Sequence, residues 1–111
     1  MTEPKYYLEI ESTPNNLITV EEFVNYFAVE LGLDREKING LLLAVTEATT
    51  NAIIHGNKNN KLKMVRIYVF VEGSNVTIKI KDEGKGFDPS IIPDPTDPEN
   101  LLKDSGRGLY L

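Results

Sequence analysis

Glu47, Asn51 and His55 recur at four-residue intervals inside an otherwise apolar stretch, Glu47-Ala-Thr-Thr-Asn-Ala-Ile-Ile-His-Gly56. At about 100° per residue they fall on one side of a helix, each roughly 6 Å along the axis from the next. Ile38, Leu41, Leu42, Val45, Thr49 and Ala52 fall on the other side, an apolar stripe suited to burial, while Leu43 and Ile54 flank the polar row. A helix this apolar is expected to keep its polar row out of open water. A carboxylate, an amide and an imidazole in such a place are costly unless a polar or metallic group meets them. Taken alone, the same residues also fit a solvated helix face that ends in an ordinary last turn, with Gly56 as C-cap.

Two glycine-rich stretches downstream carry further chemistry. In Asp82-Glu83-Gly84-Lys85-Gly86-Phe87 the glycines let the backbone turn and approach a flat ligand closely. Asp82, at a strand end, is placed to accept a hydrogen bond from an exocyclic amino group. A surface turn has the same composition. In Ser105-Gly106-Arg107-Gly108-Leu109 a second glycine pair could wrap phosphate oxygens as a nest, with Arg107 or Lys103 supplying positive charge; a helix N-cap at Ser105 is the structural alternative.

The elements that must position these residues follow in chain order. Lys5 to Ile10 alternates as a strand, with Tyr6, Leu8 and Ile10 on one face, and Pro14-Asn15-Asn16 breaks it. Thr19 with Glu22 reads as a capping box and Ile18 with Phe23 as a hydrophobic staple, so the first helix is expected to start there. It carries Phe23, Phe27 and Leu31 inward and ends at Gly32. Glu21, Glu22 and Glu30 make its other face acidic, a solvated face or a partner surface. Asp34 is the N-cap of a second helix from about Arg35 to His55, with Leu33 and Ile38 at staple spacing. Lys58, Lys61 and Lys63 follow its C-terminus, where the helix dipole favours cations. Met64 to Val71 and Val76 to Lys81 are strands joined through Glu72-Gly73-Ser74-Asn75 as a hairpin. Residues 88–105 hold four of the six prolines, the composition of a lid or a long loop.

Composition narrows the classes. The 111 residues suit a single domain spanning 1–111. The chain has no cysteine and one histidine, which excludes thiolate catalysis and Cys- or His-cluster metal sites. A net charge of −5 without a basic stripe argues against a nucleic-acid partner. Apolar runs such as Leu41 to Val45 are far too short to span a membrane, and no signal segment opens the chain, so a cytoplasmic protein is expected.

Glu47-x-x-x-Asn51-Ala52-x-x-His55-Gly56, Asp82-x-Gly84-x-Gly86-Phe87 and Gly106-x-Gly108-Leu109, in this order, resemble the N box and two glycine boxes of the GHKL ATPases. Within that group the sequence looks most like the anti-sigma factor serine kinases of bacteria, over roughly residues 5–111. The resemblance implies an α+β fold, a two-layer α/β sandwich of Bergerat type with helices on one face of a mixed, mainly antiparallel sheet. It implies ATP and Mg2+ as cofactors, Glu47 as general base and Asn51 as the magnesium ligand. Asp82 becomes the adenine reader, and Gly84, Gly86, Gly106 and Gly108 supply backbone contacts and lid hinges. His55, Phe87, Lys103, Arg107 and Leu109 belong to the implied nucleotide-binding set.

The implied partners are a sigma factor and an anti-sigma-factor antagonist protein that is phosphorylated, with a possible homodimer. The alternatives are the ATP-binding domain of a sensor histidine kinase, disfavoured by the lack of a separate phosphoacceptor histidine, and a nucleotide-gated binder without transfer. Two departures stand out. Asp104 occupies a place where some relatives carry Arg, and relatives continue beyond the position of Leu111 with further elements, which implies that the C-terminal part of the domain is missing here.

Overall fold

The structure, a computed structural model, describes residues 3–84 and 107–110, the last four by their backbone. In chain order it comprises β1 (Tyr6–Glu11), a 3₁₀ turn (Pro14–Asn16), α1 (Leu17–Glu30), α2 (Arg35–Asn51), a π turn (Ala52–Gly56), β2 (Met64–Glu72), β3 (Asn75–Lys81) and β4 (Arg107–Tyr110). The strands form one sheet in the order β1-β2-β3-β4, and every neighbouring pair is antiparallel. Pairs such as Ile10↔Val65 and Ile67↔Ile80 put apolar residues side by side on one face.

That face carries the core. Val65, Ile67 and Val69 of β2 and Val76, Ile78 and Ile80 of β3 are buried, while the residues between them are exposed or half-buried, the period-2 pattern of a sheet covered on one side. The cover comes from Val20, Val24, Phe27 and Ala28 of α1 and Ile38, Leu41 and Val45 of α2, continued by Ala52 and Ile53. Burying a Val, Ile or Phe contributes about 1.5–3 kcal/mol, so this single cluster dominates stability. The result is the two-layer α+β sandwich that the motifs imply. Tyr6 ties β1 to α1: its ring stacks on Phe27 at 5.6 Å between centroids, and its hydroxyl donates to Glu30, which pushes the phenol up to about 12.

Helix α2 follows the sequence closely at its start. Asp34 is extended, with φ −76° and ψ 168°, and its carboxylate accepts the Lys37 N–H at 2.9 Å. The expected apolar stripe is buried at Ile38, Leu41, Val45, Thr49 and Ala52, with Leu42 half-buried beside it. Gly32, between the helices, takes φ +76°, as a left-handed C-cap requires. The two-residue hairpin turn Gly73-Ser74 likewise puts its left-handed residue, φ +61°, at glycine.

Helix α1 starts earlier than the capping-box reading places it. Thr19 and Glu22 lie inside the helix, both exposed, and Ile18 is 65% exposed rather than stapled to Phe23. The turn beginning at Pro14 coils the chain ahead of the helix, because proline at a first position fixes a helical φ. Asn16 occupies the N-cap, but its side chain donates to the Glu11 carbonyl at 3.0 Å instead of capping the helix. The entry to α1 is therefore held by the end of β1 and by Leu17, which packs on the core.

The two helix starts differ in a measurable way. Asp34→Ala removes a formed cap and is expected to destabilise the domain by about 1 kcal/mol. Thr19→Ala removes none and is expected to change stability by less than about 0.5 kcal/mol. Urea unfolding of the two variants checks the order, and a larger loss at Thr19 would contradict it.

Candidate functional site

The site grows out of the end of α2. The α-helical ladder stops at Asn51, and Ala52–Gly56 forms a wider turn in which the Asn57 N–H reaches five residues back to the Ala52 carbonyl at 2.8 Å. The sequence suggested an α-helix running to His55. The difference is one of hydrogen-bond register, and it re-aims every residue after Asn51; such π turns inside helices are frequent at functional sites. Gly56 is not the left-handed cap, since the positive φ values after this helix fall at Lys58 (+53°) and Asn59 (+57°).

The reason for glycine at 56 is space. A Cβ there would run into the Asp82 carboxylate. Gly84 is under the same constraint from the other side: its Cβ would lie 2.5 Å from the Gly56 carbonyl oxygen and 3.1 Å from Asp82 Oδ1. The Gly84 N–H donates to that Oδ1 at 3.0 Å. The carboxylate is thus wedged between two residues that lack side chains, one ending the π turn after α2 and one following β3. Asp82 is half-buried, and its Oδ2 has no hydrogen-bond partner among the described residues.

Behind this corner lies a residue that sequence reasoning passed over. Asn57, in the polar loop Gly56-Asn57-Lys58-Asn59-Asn60, is only 2% exposed. Its Nδ2 donates to Ser12 Oγ at 2.7 Å and to the Met64 carbonyl at 2.9 Å, and its Oδ1 accepts the Glu83 N–H at 2.7 Å. Ser12, also buried, passes the chain on by donating to the Lys63 carbonyl at 2.6 Å. One amide therefore joins the segments that follow β1, α2 and β3 to the start of β2. An asparagine among other asparagines after a helix looks like turn chemistry, so no signal in a single sequence marks it. Nearby, Glu83 accepts the Met64 N–H and lies 3.9 Å from Arg66, whose Nε donates to Glu9 at 2.7 Å; such exposed pairs contribute little.

Glu47 and Asn51 lie on the last two turns of α2, one helical turn apart, and both are exposed, as is His55. Among the described residues nothing shelters this row, contrary to the expectation drawn from its apolar flanks; Leu43 and Ile54 are themselves 69% and 40% exposed. The structure thus brings Asp82, Gly84 and Gly56 together and places Glu47 and Asn51 on the helix that leads to them. Gly86, Phe87, Lys103 and Gly106, with the proline-rich stretch 88–105, lie outside the described residues. Arg107, Gly108 and Leu109 belong to β4, paired with Ile80, Lys79 and Ile78. The open edge of β3 gives this extended backbone regular partners, while Gly106, the first of the glycine pair, lies outside the described residues. No helix among the described residues is long and apolar enough to cross a membrane.

A helical layer thus covers one face of an antiparallel sheet, with a carboxylate and an amide on the helix that leads to the Asp82–Gly84 corner. A family model described as "Histidine kinase-like ATPase domain" matches residues 10–111, and the chain belongs to that family. It is 36% identical over 110 residues to the anti-sigma F factor of Clostridium botulinum (strain Eklund 17B / Type B), covering 97% of this chain and 77% of the relative. It is 44% identical over 62 residues to the anti-sigma F factor of Thermoanaerobacter sp. (strain X514), covering 56% of this chain and 43% of that relative. Against the anti-sigma F factor of Clostridium beijerinckii the match is 36% over 88 residues, 79% of this chain and 62% of the relative. The chain therefore spans less than two thirds of the length of several relatives it matches.

Steric exclusion at the corner makes two glycines of α2 and its end behave oppositely. Gly56→Ala must displace Asp82 or the helix end, at about 1–3 kcal/mol of overpacking. Gly40→Ala, at an exposed position in α2 with nothing within 4 Å of its Cβ, is expected to stabilise by about 0.5–1 kcal/mol. Chemical denaturation of both variants measures the signs, and a stabilising Gly56→Ala would show that the corner is looser than described.

Proposed function

We propose that this domain is an ATP-dependent serine/threonine-protein kinase that also acts as an anti-sigma factor, holding a sigma factor inactive and phosphorylating an antagonist protein. The observation that carries the reading is the Asp82 carboxylate, wedged between Gly56 and Gly84 with Oδ2 unpartnered among the described residues. A half-buried acceptor flanked by Cβ-free backbone suits a flat, hydrogen-bond-donating base, and the adenine amino group is such a donor. The family membership and the relatives named anti-sigma F factor support the same reading.

In this reading each residue has a separate task. Asp82 accepts from the base and fixes its orientation, with Gly56 and Gly84 leaving room for close approach. Asn51 offers its amide oxygen to Mg2+, a hard cation that prefers oxygen ligands and neutralises phosphate charge when bound. Glu47, one turn earlier on α2, holds the hydroxyl of the acceptor serine or threonine and takes its proton as transfer proceeds. Phosphoryl transfer requires positioning and charge neutralisation above all, and a chain of net charge −5 relies on the cation for the second. Gly86, Phe87, Lys103, Gly106, Arg107, Gly108 and Leu109 complete the nucleotide-binding set of this proposal, and His55 belongs to it by position.

The roles separate in two variants. Glu47→Ala is expected to leave ATP affinity within a few fold and to cut phosphorylation of the antagonist by about 10²-fold or more. Asn51→Ala is expected to weaken Mg2+–ATP binding itself. Calorimetric titration with Mg2+–ATP and single-turnover transfer from labelled ATP measure both. Transfer that survives Glu47→Ala would place the base elsewhere, and a folded wild-type protein without a thermal shift at millimolar ATP would sink the nucleotide reading.

A further inference from the structure

We infer that Asn57 is a positioning residue that sets how well the site distinguishes adenine from other purines. The inference rests on the proposed nucleotide reading, and it concerns a residue outside the motifs that carry that reading. Asn57 is bonded covalently to one wall of the corner and by hydrogen bond to the other. Its main chain continues directly from Gly56, whose backbone lies against the Asp82 carboxylate. Its Oδ1 holds the N–H of Glu83, the amide of the peptide that leaves Asp82, at 2.7 Å. The spacing between the end of α2 and the end of β3 is therefore transmitted through one side chain.

That side chain has little freedom to adjust. Both Nδ2 hydrogens are committed, to Ser12 Oγ at 2.7 Å and the Met64 carbonyl at 2.9 Å, and both of those partners belong to segments anchored by the β1–β2 ladder. Its own N–H closes the π turn on Ala52 at 2.8 Å. A buried amide with all its donors and its carbonyl satisfied occupies one rotamer, because any other leaves partners unpaired in a dry interior. The hydrogen bond that reads the base works only within a few tenths of an ångström, so a shift of the Asp82–Glu83 peptide weakens base reading before it weakens phosphate or cation binding.

The test compares ATP with inosine triphosphate, whose base carries a carbonyl oxygen in place of the amino group and a hydrogen on the neighbouring ring nitrogen, so their affinity ratio reports the hydrogen bonding of the base edge that Asp82 is proposed to read. Calorimetric titration with Mg2+ is run on the full chain, on Asn57→Ala and on Asn57→Asp, below the lowest Tm of the set. Asn57→Asp keeps an acceptor for Glu83 but places a carboxylate oxygen against the Met64 carbonyl. The wild-type protein is expected to prefer ATP by about tenfold or more, a hydrogen bond's worth of discrimination. Both variants are expected to bring the ratio close to one, with affinity for inosine triphosphate kept within a few fold. Asp34→Ala, which lowers Tm from the far end of α2, is expected to leave the ratio where it was.

Wild-type discrimination retained in the Asn57 variants would overturn the inference and leave the nucleotide reading standing. A wild-type protein that binds both nucleotides equally would overturn that reading and the inference with it. If neither Asn57 variant folds, Ser12→Ala, which removes one acceptor of the same amide, is expected to lower the ratio severalfold, and an unchanged ratio there would overturn the role of Asn57.

Discussion

The site depends on a steric exclusion: no Cβ fits at Gly56 or at Gly84, because the Asp82 carboxylate and the Gly56 carbonyl already occupy those places. Close packing leaves few voids, so a contact of this kind is nearly rigid, and a shift of either element is felt by the other. The end of α2 and the end of β3 come from opposite layers of the sandwich. Where they meet, the Asp82 carboxylate lies against the Gly56 backbone and the Gly56 carbonyl against Gly84, and the carboxylate is held without a cation among the described residues. One of its oxygens accepts from the Gly84 N–H, and the other has no hydrogen-bond partner among the described residues.

The rest of the described fold supports that meeting point. The buried faces of β2 and β3 hold α2 through Ile38, Leu41 and Val45, which fixes the helix axis, and Ala52 and Ile53 carry the same cluster into the π turn. The π turn then changes the exit direction of the chain, and two left-handed residues, Lys58 and Asn59, bring it back toward β2. Non-glycine residues in that conformation carry a local penalty, which the Asn57 network is placed to offset by satisfying four segments at once. Exposed pairs such as Glu9–Arg66 add little by comparison.

Much of this was legible from residue types. The Asp34 cap, the glycine at 32, the alternating faces of β1 and β3 and the Gly73-Ser74 hairpin each depend on a local rule that one residue satisfies, and each is found where the sequence places it. The start of α1 was not, because two candidate signals competed and the 3₁₀ turn at Pro14 prevailed over the Thr19–Glu22 box. The π turn was not either, since an inserted residue leaves the apolar stripe intact up to Ala52 and shows only in the hydrogen bonds. Gly56 and Gly84 were flagged for conformational freedom, whereas neither takes a positive φ; both are needed because another chain segment fills the space. Asn57 was invisible for a simple reason: its function lies in partners 45, 7 and 26 residues away in sequence, and such long-range pairing leaves no periodicity.

If, as proposed, the corner where the turn after α2 meets the end of β3 holds the nucleotide, Mg2+–ATP must perturb that corner before any other part of the domain. Amide and side-chain chemical shifts of the isotope-labelled chain, followed as Mg2+–ATP is added, test it most directly. The account predicts that the largest shifts fall on the backbone amides of Gly56, Glu83 and Gly84 and on the side-chain amide of Asn51, with α1 nearly silent. Shifts concentrated on α1 or on the open face of β1 and β2, with Gly56 and Gly84 unmoved, would contradict it.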